Sequence, residues 1–142
     1  MNLKQYIDAY QLHSGRTENS HLGSCFDFFN ENFDDDLLSF DVFIIGVPEG
    51  RLSIGNESCA LAPDEIRSSL YNLYEGEWGL KILDLGNLRV GQTVEDTYAI
   101  LEQITVYLIE LGKVLLVLGG GHDLITPIYR GHCSFGKPLN LA

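Results

Sequence analysis

Five apolar residues, Val114 to Leu118, run into Gly119, Gly120 and Gly121, and these into His122 and Asp123. A short apolar run bounded by glycine is the pattern of a strand buried on both faces of a parallel sheet. Residues 42–47 (VFIIGV) and 80–86 (LKILDLG) read the same way. The segments between them are helical in period. Pro63 suits a first turn, Asp64 and Glu65 sit near its positive end, and Ile66, Leu70, Leu73 and Tyr74 predict a buried stripe. Thr93 with Asp96 resembles a capping box, and Gly112 is placed for a left-handed C-cap. Between them, Ile100, Leu101, Ile104, Tyr107, Leu108 and Leu111 line one side of a helix. A last helix is predicted over residues 123–130, with Pro127 near its first turn, then a loop over residues 131–142 that ends like the start of another strand.

Leu3, Tyr6, Ile7 and Tyr10 predict a short N-terminal helix, and residues 13–24 a polar loop. Phe26, Phe28, Phe29 and Phe33 are expected to pack against the domain, with a partner-binding patch as the alternative. Asp34, Asp35 and Asp36 read as a solvated turn or a helix start. The alternation of strands and helices implies an α/β fold. Its parallel sheet has about three strands, right-handed crossovers and helices on both faces. At 142 residues the chain is one domain's worth, with a real core.

Nine Lys and Arg against twenty Asp and Glu give a net charge of −11. That balance repels phosphate backbones and anionic lipid, which argues against nucleic acid and membrane partners. It fits cationic substrates or divalent metals without requiring them. Cys25, Cys59 and Cys133 are odd in number and lack CxxC spacing, which with no signal-like start predicts reduced thiols in the cytoplasm. No run reaches the roughly 18 apolar residues of a membrane span.

Polar residues just past a parallel strand sit at the carboxyl edge of the sheet, where open α/β folds bind ligands. His122 lies there, and three uses stay open on pattern alone: a glycine-rich turn with a capping His, a metal ligand, or a phosphate cradle. The last is weak, because neither GxGxxG nor a P-loop is present. Glu49, Arg51 and Asn56 follow the first strand at the same edge, as substrate contacts or as solvated loop residues. Asp84 is either an edge carboxylate or the cap of a turn. His132 and Cys133 complete no zinc pattern.

Taken in order, these pieces resemble a known family. VLLVLGGGHDLITP resembles the first metal-binding motif of the ureohydrolases (arginase, agmatinase and formimidoylglutamase), and its GGGHD form is closer to the formimidoylglutamase branch. GVPEGRLSIGNESCALAPDEIRSSLYNL looks like the family's first strand, substrate-side loop and "AP…IR" helix. ILDLGNL resembles its D-x-G-D strand exit, with Asn87 where an acid is common. The likeness spans residues 41–130. It implies a three-layer α/β/α hydrolase with two manganese ions, whose bridging hydroxide attacks the carbon of a guanidino or formimino group. Six ligands are usual in the family: the His of GGGHD, a later Asp-x-His-x-Asp, and an Asp-x-Asp. Only His122 carries over.

The resemblance therefore implies that residues 1–142 are the N-terminal part of one such domain. The substrate would be a small amidine, and these residues are expected to be inactive alone. Glu49, Arg51 and Asn56 would help form the pocket. The sheet is expected to be incomplete, with its last strand exposing an edge that self-association could cover. An α/β association module using that edge is the rival reading, and a nucleotide binder a weaker third.

Overall fold

The three apolar runs form the strands that their composition predicts. In a computed structural model, residues 1–10, 20–30, 33, 36–77 and 79–136 are described. Strand β3 (Val42–Gly46) lies between β4 (Ile82–Leu88) and β5 (Val114–Leu118), parallel to both. Two short strands, β1 (Ile7–Asp8) and β2 (Asp27–Phe28), share the outer edge of β4. β1 pairs there antiparallel and β2 parallel, giving a mixed sheet of five strands. The expected count of about three covers only the long ones.

The helices are α1 (Leu22–Cys25), α2 (Ala62–Leu70), α3 (Val94–Glu110) and α4 (Ile125–Ser134). Successive side chains of a strand face opposite sides. Phe43, Ile45, Leu83 and Leu85 face α3, whose Leu101, Ile104 and Leu108 complete one buried cluster. Asp84 faces the other side and meets Arg67 of α2. Helices therefore cover both faces. Each fully buried core side chain contributes roughly 1.5–3 kcal/mol through apolar burial. Thr93 and Asp96 make the predicted capping box, and Gly112 has φ +70°. α4 packs on α3, with Gly131 close against Thr105.

Several expectations are corrected. The N-terminal helix is a single 3-10 turn, Leu3–Gln5, followed by β1. Pairing of Ile7 with Leu88 satisfies the backbone of β1 and covers the outer edge of β4, while Leu3 and Ile7 still reach the core. In α2 the predicted stripe faces outward: Ile66 is 40% exposed and Leu73 55%. Pro63, Arg67 and Tyr71 are buried in its place, because Arg67 finds a partner for its charge beneath the helix. α4 runs four residues past Arg130, and the predicted strand start near residue 138 lies outside the described residues. Leu22–Cys25 is helical where a loop is predicted, and residues 11–19 lie outside the described set.

The phenylalanines pack as expected. Phe29 is in the core and stacks through Phe33 and Phe40 towards Phe43, while Phe26 and Phe28 meet Tyr71 edge-on. Asp36 caps the turn Leu37–Ser39, and Asp34 and Asp35 lie outside the described residues. Cys25, Cys59 and Cys133 are unpaired. Among the described residues β5 pairs with β3 alone, and Val114 and Leu116 on its α2 side are 60% and 45% exposed. No described helix is long and apolar enough to cross a membrane.

Candidate functional site

At the carboxyl edge the exits of β3 and β5 are joined backbone to backbone. Val47 N–H donates to the Leu118 carbonyl at 3.0 Å, and Gly121 N–H to the Glu49 carbonyl at 2.8 Å. A side chain at residue 120 would place its Cβ 2.3 Å from the Glu49 carbonyl oxygen. At residue 121 the Cβ would fall 2.0 Å from Asp123 Oδ1. These two glycines thus serve the close approach of the neighbouring loop and turn. Gly119 faces open space.

Glu49 and Arg51 come together. Glu49 is 1% exposed, and its carboxylate accepts Arg51 Nε at 2.9 Å and the Arg51 backbone N–H at 3.0 Å. The guanidinium continues to the start of α3, donating to the Gln92 carbonyl at 2.8 Å and to Thr93 O and Thr97 Oγ1 at 3.1 Å. The bonds from Arg51 hold the Glu49 carboxyl below its ordinary range, against the opposing effect of burial. A buried charge with these partners is satisfied. Asn56 stands apart, exposed before the 3-10 turn Glu57–Leu61, and its side chain makes no hydrogen bond among the described residues.

His122 is exposed in the 3-10 turn His122–Leu124 that leads into α4. Its ring has no hydrogen-bond partner among the described residues. Asp123 next to it turns away, and its Oδ2 accepts the hydroxyl of Tyr98 on α3. Burial, then the Asp123 carboxylate, push the Tyr98 phenol pKa up. Tyr98 escaped the sequence reading. Its signal was there: it precedes Leu101 and Leu108 on the core side of α3, and a tyrosine so placed needs a partner for its hydroxyl.

Asp84 is neither exposed nor free. Arg67 donates Nε and Nη2 to its two oxygens at 2.7 and 3.0 Å, the Tyr71 hydroxyl donates to it, and Gly86 N–H reaches it at 2.7 Å. Arg67 also bonds the Gly86 carbonyl and Asn87 Oδ1, and lies over the Tyr10 ring at 4.8 Å. Burial lowers the Arg67 pKa, but the bonds and charge of Asp84 outweigh it and raise the value overall. Neither sequence reading of Asp84 holds: it lies within β4 in register with Ile44, buried in an ion pair with Arg67, and its bond from Gly86 N–H falls inside the strand.

The fit to a metal is partial. His122 presents an unengaged imidazole at the correct edge, which suits one ligand position. Among the described residues no group of three or more His, Cys, Asp or Glu is placed to hold an ion. The donor set of a binuclear centre is not contained in them.

Comparison with known proteins places this geometry. A family profile described as the arginase family matches residues 40–141. An agmatinase of Proteus mirabilis is 32% identical over 135 residues, covering 85% of this chain and 44% of that protein. An agmatinase of Neisseria gonorrhoeae is 28% identical over 144 residues, covering 90% of this chain and 46% of its own length. The chain thus spans less than half the length of the relatives it matches. Among solved structures, an oxidized Trypanosoma cruzi formiminoglutamase with Mn2+ superimposes with a TM-score of 0.67 at 23% identity, over 82% of this chain and 42% of that one. A variant of the same enzyme with Mn2+ gives 0.64 at 22%. At that identity the likeness speaks for the fold.

Proposed function

The chain belongs to the arginase family, and on that premise we propose that it is the N-terminal portion of a manganese hydrolase that cleaves C–N bonds of linear amidines. His122 is its first metal ligand. The observation that carries this reading is the GGGHD turn, bonded to the β3 exit at the carboxyl edge with the His122 imidazole exposed and unengaged. Arg51 and Asn56, both exposed on the adjoining loop, would face substrate, and buried Glu49 would hold Arg51. The GGGHD form favours a formimino substrate, while the sequence relatives are agmatinases. A cytoplasmic setting belongs to the same proposal and rests on the three unpaired cysteines.

The test is the coding sequence beyond the Ala142 codon, with an assay of its product. Asp-x-His-x-Asp and Asp-x-Asp motifs are expected there, with manganese-dependent hydrolysis of formiminoglutamate or agmatine. A downstream sequence without either motif overturns the proposal.

A second reading rests on a separate observation, the exposed edge of β5 with Val114 and Leu116. An apolar edge strand is a template for pairing with another chain. The chain would then act by association. A discrete dimer in size-exclusion light scattering that is lost on Leu116→Lys supports this reading, and a monomer excludes it.

A further inference from the structure

We infer that Tyr98 is a positioning residue for His122, acting through Asp123. The inference rests on the reading of His122 as the ligand, and adds how its turn is held. The His122 ring makes no hydrogen bond among the described residues and its carbonyl accepts Ile125 N–H within the same turn, so the ring is placed by how that turn is anchored on either side. On one side Gly121 N–H is bonded to the Glu49 carbonyl at 2.8 Å. On the other, Asp123 accepts the Tyr98 hydroxyl.

These two anchors belong to one closed ring of contacts. Glu49 holds Arg51, Arg51 bonds Thr93 and Thr97 at the start of α3, Tyr98 follows Thr97 on that helix and bonds Asp123, and Asp123 stands two residues from Gly121, whose N–H returns to Glu49. Three segments distant in sequence therefore lock one another, with His122 between the two anchor points. A hydrogen bond to a charged carboxylate is stronger than a neutral one. Losing the hydroxyl frees one side of the turn and leaves the other intact. Asp123, turned towards α3, is a support for its neighbour rather than a second ligand.

The experiment uses the 142-residue chain without metal, as Y98F, D123A and D123N. Two readouts are taken: amide hydrogen exchange across residues 120–124, and the NMR resonances of the His122 imidazole. Y98F keeps the ring, so the fold is retained. Exchange in the turn should rise about tenfold or more, the scale of one lost charge-assisted bond. The imidazole signals should shift or broaden while the amides of β3 and β4 keep their protection. D123A should match Y98F, and D123N, which retains an acceptor oxygen without the charge, should fall between them and the parent chain. Unchanged exchange and unchanged imidazole signals in Y98F and D123A would overturn the inference. So would a rise spread evenly over the chain, since that reports general stability. Neither readout involves manganese, so failure of the metal reading and failure of this one are separable.

Discussion

Two polar clusters in this protein are built from the same parts and end differently. In each, a tyrosine hydroxyl donates to a carboxylate: Tyr71 to Asp84 within β4, and Tyr98 to Asp123 beyond β5. In the first, the carboxylate also meets Arg67, which is 0% exposed, and every donor is used within the fold. In the second, the adjoining residue is His122, exposed, with its ring unbonded among the described residues. The first cluster is closed and structural. The second is bonded at its base but leaves one imidazole exposed, the group proposed above as a ligand.

The comparison breaks most easily at the closed cluster. Replacing Arg67 with Met strands the buried Asp84 charge, and stability should fall by about 3–5 kcal/mol in urea unfolding. A loss below about 1 kcal/mol would mean that the pair is not the closed unit described.

Next comes the clasp beneath the open cluster. Glu49→Gln keeps the shape but weakens its bonds to Arg51, and should cost about 1–3 kcal/mol near neutral pH. The Glu49 pKa is lowered in the fold from an ordinary 4.5. Its contribution is therefore present above pH 4.5 and is lost as pH falls through the folded value. The acid limb of a stability–pH curve should be shallower in the variant, and an unaltered limb would contradict the assignment.

Thr93→Ala removes half of the capping box at the α3 terminus that Arg51 also binds. A loss of about 1 kcal/mol is expected, read as a lower thermal midpoint. The smallest effect sharpens the contrast. His122→Ala should change stability by no more than about 0.5 kcal/mol, as for an exposed side chain without fold contacts. A drop as large as that for Arg67 would make His122 a structural residue.

The long strands were legible because their apolar runs have no other stable use, and the capping box and Gly112 marked α3 by local chemistry alone. The GGGHD turn was legible as an edge, and the motif order around it carried the family. What escaped was set by tertiary partners. The face of α2 was misread because Arg67 looks like a surface residue until Asp84, on the strand that follows the helix, neutralises it. β1 was misread as helix because its partner on β4 lies some 80 residues on, as in the pairing of Ile7 with Leu88. Tyr98 was missed because its partner Asp123 is brought near only by the β5 crossover.

His122 is proposed as a metal ligand that needs donors from outside these residues. That role is tested most directly by calorimetric titration of the purified 142-residue chain with Mn2+, beside its His122→Ala variant. Only weak, unsaturated uptake is expected, the same in both proteins. Saturable, stoichiometric uptake that vanishes in the variant would show a complete site within the chain, and would contradict it.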